Sequence, residues 1–160
     1  MERILQLRAA LEENTLKVRF LNPDGSTSET PQEVDIIPVI EIVLAQGDGW
    51  EGTPQLGLAL IDTGADHLYI DKAFAEQMGF TALGVTNPSG ASGEVLDANY
   101  YSLDYDIPTF GVTRLYRGRF VAMPLSQNGR KYQALLGMSF LNKGRLVMDS
   151  NEGVYFFEFN

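Results

Sequence analysis

The sequence contains no cysteine, one histidine and one tryptophan. Without cysteine there is no disulfide framework, no thiolate metal site and no thiol nucleophile, and a cytoplasmic location is the simplest expectation. The lone histidine, His67, would have to serve any Ser-His-Asp arrangement by itself and is a poor basis for a zinc site. It is expected to line a pocket or face solvent, and neither a metal nor a cofactor is expected. No stretch approaches the ~18 uninterrupted apolar residues of a membrane helix. Residues 1–14 interrupt their apolar positions with Glu2, Arg3, Arg8, Glu12 and Glu13, which argues against a secretory signal and a membrane partner. Basic residues are scarce too, 12 Lys and Arg against 21 Asp and Glu for a net charge of -9. They lie scattered, which excludes a general nucleic-acid binder, since phosphate contacts need clustered cations. Neither an internal repeat nor a low-complexity tract is present.

What remains is a chain of 160 residues, 44% hydrophobic, sized for one ordinary domain with a real core. Ile4, Leu5, Leu7 and Leu11 recur at helical spacing and predict a short amphipathic helix. Residues 16–21 alternate like a strand, Asn22-Pro23-Asp24-Gly25 supplies turn chemistry, and residues 26–33 read as a loop. From Val34 onward, β-branched and apolar runs over 34–44, 56–61, 100–107, 119–123, 145–148 and 154–159 alternate with glycine-rich breaks, so the fold class is mainly β. Two short helices interrupt it, at 71–78 behind an acidic cap and before Gly79, and at 138–142 before Gly144. Asp104 and Asp106 share one face of a strand, expected to be solvated. Tyr100, Tyr101, Tyr105 and Tyr116 are expected to pack on the sheet.

Chemistry concentrates where the strand Leu58-Ala59-Leu60-Ile61 runs directly into Asp62-Thr63-Gly64-Ala65-Asp66. A carboxylate that is to share a proton with another must be held rigidly at a strand end, facing backbone N–H groups that a side chain at Gly64 would obstruct. Thr63 can turn its hydroxyl away from the reactive face and fasten the loop by hydrogen bonds. Asp and Gly after a strand also make ordinary turns, so the triplet gains its meaning from the rest of the chain.

Ala59-Leu60-Ile61-Asp62-Thr63-Gly64-Ala65-Asp66 resembles the active-site segment of the retropepsin family of aspartic proteases. Near the C-terminus Ala134-Leu135-Leu136-Gly137-Met138-Ser139-Phe140-Leu141 resembles that family's second signature, two apolar residues and a glycine ahead of a short helix. Between them, Pro88-Ser89-Gly90-Ala91-Ser92-Gly93 stands where the family has a flap hairpin. The resemblance spans roughly 34–159, and residues 1–33 are expected to be an extension of unknown role.

The resemblance implies an acid-protease β-barrel with a flap, catalytic Asp62, Thr63 and Gly64, and support of the site by Leu135, Leu136 and Gly137. Substrate would be bound by Ala65, Asp66, Ser89, Gly90, Ala91, Ser92 and Gly93. The chain has one Asp-Thr-Gly, and its nearest second candidate, Asp149-Ser150-Asn151, carries Asn where close approach requires Gly and is expected to be a hairpin turn. The partner is therefore expected to be a second copy, a homodimer acting on a peptide or protein substrate. Its paired Asp62 carboxylates would hold one proton between them and activate a bridging water, without metal or covalent intermediate. Two departures stand out. Retroviral members usually place Arg after the C-terminal glycine to pair with the residue equivalent to Asp66, whereas Met138 stands here, leaving Arg145 or Arg130 as substitutes. The chain also continues into an aromatic strand, 154–159, that is expected to be covered. A second reading remains open: the same scaffold serving as a catalytically silent binding or oligomerisation module.

Overall fold

A computed structural model of the chain describes residues 14–47, 49–87, 97–108 and 115–160. Twelve strands dominate it: β1 (Thr15–Lys17), β2 (Arg19–Leu21), β3 (Thr27–Ser28), β4 (Pro38–Ala45), β5 (Gln55–Ile61), β6 (Leu68–Asp71), β7 (Gly84–Thr86), β8 (Ala98–Asp106), β9 (Leu115–Met123), β10 (Ala134–Leu136), β11 (Gly144–Asp149) and β12 (Val154–Phe159). Helices α1 (Lys72–Gln77) and α2 (Met138–Leu141) occupy the two expected places. The amphipathic helix expected in the first dozen residues lies outside the described residues.

Nine strands join in the order β3-β2-β4-β5-β10-β6-β9-β8-β7, and β4 also pairs with β8. That extra pairing closes the path β4, β5, β10, β6, β9, β8 into a circuit, so none of these strands presents a free edge along its whole length. A second sheet, β1-β12-β11, covers one side. The β4 strand begins at Pro38 rather than Val34; before it Asp35 takes a left-handed φ of 56° and leaves Val34 and Ile36 exposed. Pro38 fits where the strand starts, having no N–H to offer a ladder.

Alternation sorts the side chains into two apolar layers. Phe20, Ile40, Ile42, Leu44, Ile70, Leu103, Phe120 and Leu136 face one cluster, while Leu21, Val39, Tyr69, Val121, Leu125, Tyr132 and Leu135 face another. The short strands β6 and β10 are buried along their entire length and therefore carry no polar alternation. The terminal strand is covered as expected: Phe157 and Phe159 are buried and meet Phe140 at ring separations of 5.1 and 6.0 Å. Leu16, Val18 and Phe20 enter the same core, so the described strands of the N-terminal segment are packed with the rest.

Two polar side chains tie the sheet to its connections. Asp71 stands at the N-cap of α1 but makes no bond to that helix; buried, it accepts the Ser126 N–H at 3.1 Å instead. The Gln133 side-chain Oε1 accepts the Leu58 N–H at 2.8 Å, its backbone N–H donates to the Leu58 carbonyl at 2.9 Å, and its backbone carbonyl accepts the Asp71 N–H at 2.8 Å. Side chain and backbone together thus extend the parallel pairing of β5 and β10 by one rung. Gln133→Ala leaves the Leu58 N–H without a partner and is expected to cost about 1–2 kcal/mol. Urea unfolding should show a lowered midpoint with an unchanged slope.

Candidate active site

Strand β5 ends at Ile61, and four parallel or antiparallel neighbours carry that position across the sheet. Ile61 is opposite Leu136, Leu136 opposite Leu68, Leu68 opposite Phe120 and Phe120 opposite Tyr101. One step beyond this row, at the same end of the sheet, come Asp62, Gly137, His67 and Arg119, each on its own strand or strand extension. This placement follows from strand directions alone: β5 and β10 run one way, β6 and β9 the other.

Asp62 is half-buried, whereas Thr63 and Gly64 are exposed. The Gly64 N–H donates to Asp62 Oδ1 at 2.9 Å, and the Asp62 N–H donates to the Leu136 carbonyl at 3.0 Å. A methyl group at Gly64 would stand 3.3 Å from Asp62 Oδ1, crowding the carboxylate the glycine N–H supports. The Thr63 hydroxyl makes no hydrogen bond among the described residues.

The loop is fastened from the other signature. Successive N–H groups of Gly137, Met138 and Ser139 donate to the carbonyls of His67, Ala65 and Asp66, at 3.1, 2.7 and 3.0 Å. Leu135 and Leu136 are buried strand residues that bring Gly137 to this contact, and Phe140, fully buried among the aromatic rings, anchors the turn behind it. The Arg substitutes for Met138 do not take up the expected contact. Arg145 is engaged by Glu158 at 2.6 Å, and Arg130 borders a separate cavity beside Asn22 and Val34. Asp66 forms no salt bridge among the described residues; the backbone contact from Ser139 holds its position instead.

The loop opens on a cleft of about 730 Å³ lined by Asp62, Gly64, Ala65, Asp66 and His67 on one side. The alternate residues of β9, Arg117, Arg119, Val121 and Met123, line it on another, as a period of two requires. Tyr69 and Leu135 form apolar floor. Burial pushes the Tyr69 phenol up, and the charges of Asp66 and Asp62 push it further. Burial also raises Tyr132, opposed by Arg130 and assisted by Asp62. Both phenols therefore stay neutral at ordinary pH.

Ser89, Gly90, Ala91, Ser92 and Gly93, expected at the flap tip, lie outside the described residues. Asp149 accepts the Asn151 and Glu152 N–H groups at 3.0 and 3.1 Å, which makes Asp149-Ser150-Asn151 the turn that its Asn implies. Asp104 pairs with Arg117 at 2.9 Å across the β8–β9 ladder. Sequence reasoning missed Arg119 and Gln133. Arg119 is legible as a cleft residue only once its strand is phased against the buried Phe120 beside it.

The family model described as aspartyl protease matches residues 50–140. No curated protein matches the chain. Among solved structures the chain is similar to a retropepsin-like aspartic protease from Rickettsia conorii, at 16% identity over 81% of this chain and 87% of that one, with a TM-score of 0.49. It is also similar to the EIAV protease complexed with the inhibitor HBY-793, at 19% identity over 73% and 98% of the two chains and a TM-score of 0.45. A third likeness is the retroviral protease-like domain of Ddi1 from Leishmania major, at 10% identity over 76% and 94%, TM-score 0.41. The matched family segment covers more than half of the sequence and includes both Asp62-Thr63-Gly64 and Leu135-Leu136-Gly137, so the chain belongs to the aspartyl protease family.

Proposed function

We propose that the protein is an aspartic endopeptidase whose active site forms when two copies bring their Asp62 carboxylates together. The observation that carries this reading is the Asp62 loop itself. Its carboxylate is held by the Gly64 N–H at a strand end, faces an open cleft, and has beside it the exposed Thr63, whose hydroxyl has no partner among the described residues. Asp149, the other candidate for a second catalytic aspartate, is occupied in its own turn. A second copy supplies both missing elements, a facing carboxylate and a partner for Thr63.

Two carboxylates a few ångströms apart cannot both ionise cheaply, so one is protonated and the other is not. The ionised one takes a proton from the water between them as that water attacks the peptide carbonyl. The protonated one donates to the carbonyl oxygen as it gains charge. The resulting gem-diol collapses as the newly protonated carboxyl gives its proton to the leaving nitrogen and the other carboxylate takes one from a diol hydroxyl, which breaks the C–N bond and restores the one-proton pair. Atoms and protons balance without a cofactor.

The direct test is digestion of a diverse peptide library by purified protein, read by mass spectrometry beside Asp62→Asn. Products that appear only with Asp62 are expected. A dimer that yields no Asp62-dependent product at any pH between about 3 and 8, the range where paired carboxylates work, would refute peptide hydrolysis.

A further inference from the structure

The protein as a whole is acidic, yet one wall of the cleft is not. Arg119 lies on β9 in the cleft, exposed, and among the described residues it forms no salt bridge. Its guanidinium sits 3.8 Å from the centroid of the Tyr100 ring. Tyr100 is opposite Val121 on the neighbouring strand and covers Gly84 on the strand beyond, where an added methyl would stand 3.1 Å from the ring. The ring is therefore packed between β7 and β9, and the guanidinium rests on it with no hydrogen bond among the described residues. Stacking on an aromatic face in this way keeps a guanidinium ordered without neutralising it, and the planar fork suits a carboxylate. Lys143, which lines the same cleft, also sits over a tyrosine ring, Tyr116, at 5.1 Å. Arg117, by contrast, is tied to Asp104.

Resting on the peptidase reading above, we propose that Arg119 is a specificity residue that selects peptides carrying an acidic side chain about three or four residues from the bond that is cut. The distance comes from the sheet. Asp62 and Arg119 stand one step past the same row, separated by the three strand spacings from β5 through β10 and β6 to β9. At ~4.8 Å per spacing that is roughly 14 Å along the curved sheet and less in a straight line, so an extended peptide rising ~3.4 Å per residue covers it in about three or four residues. Val121 and Met123 continue the wall with apolar surface, so the acidic requirement is local to the Arg119 end.

The experiment uses one extended peptide with an apolar centre, in which Glu is moved through each position on both sides of the centre and compared with Gln at the same position. Wild type is expected to favour Glu about tenfold in kcat/KM at a position three to five residues from the cut, at low salt. Arg119→Leu should lose the preference, Arg119→Lys retain part of it, and Arg119→Glu favour Lys there. The same peptides, labelled with fluorescein, are titrated into Asp62→Asn and Asp62→Asn/Arg119→Leu and read by anisotropy. If no peptide is cleaved but Asp62→Asn binds the Glu peptide more tightly in an Arg119-dependent way, peptide hydrolysis fails and the role of Arg119 stands. Equal treatment of Glu and Gln at every position, a preference that survives Arg119→Leu, or no binding even at millimolar protein overturns it.

Discussion

Asp62→Asn is expected to lower kcat/KM by about 10³-fold or more, with little change in folding. The amide keeps the shape of the side chain, and its oxygen can still accept the Gly64 N–H, so the loop and its three backbone contacts to Gly137, Met138 and Ser139 are preserved. What disappears is the ability to take a proton from water. The substitution also separates the two-copy site from a one-copy site. If catalysis needs an Asp62 from each of two copies, an equal mixture of wild type and Asp62→Asn, allowed to exchange subunits, retains about a quarter of the wild-type activity per total protein. Independent single-chain sites retain about half. The measurement is initial rate against mole fraction, where a parabola marks the shared site and a straight line excludes it.

How much of this was legible beforehand differs by element, for physical reasons. Strands with one polar face announce themselves: β8 carries Asp104 and Asp106 between Leu103, Tyr105 and Ile107, and its period of two is plain. The strands that matter most for the site, β6 and β10, are short and buried on both faces, so Leu68-Tyr69-Ile70-Asp71 and Ala134-Leu135-Leu136 carry no alternation to read. The Asp62 loop and the Gly137 turn were found by resemblance, but how they hold each other was not. The resemblance implies an arginine partner for Asp66, for which Arg145 and Arg130 are the substitutes in this sequence. The chain instead uses backbone N–H groups, which any sequence supplies and which therefore leave no mark in it. Arg119 was missed for a related reason. A cation on an exposed strand position reads as solvated surface, and only the register that aligns it with Asp62 makes it part of a cleft.

Gly137→Ala is expected to destabilise the protein strongly. The Gly137 backbone, at φ -90° and ψ -162°, is open to any residue, so the constraint is space and not conformation. An added methyl would lie 2.4 Å from both the Ala65 and the His67 carbonyl oxygens. These same oxygens accept the Met138 and Gly137 N–H groups, so the loop cannot retreat from the methyl without lengthening the bonds that position Asp62. Overpacking against rigid backbone costs about 3 kcal/mol, and for a chain of this size that corresponds to a Tm lowered by roughly 10 °C. Gly64→Ala provides the contrast. Its methyl would be 3.3 Å from the Asp62 carboxylate oxygen, on an exposed loop, close enough to disturb the acid but able to yield at a cost of about 1 kcal/mol or less. Thermal melts and peptide cleavage measured together should therefore part the two glycines: Gly137→Ala loses stability and activity together, whereas Gly64→Ala loses activity while nearly keeping its Tm. Equal and small Tm shifts for both would mean that the Gly137 turn does not brace the Asp62 loop, and would remove the structural reason for the second signature.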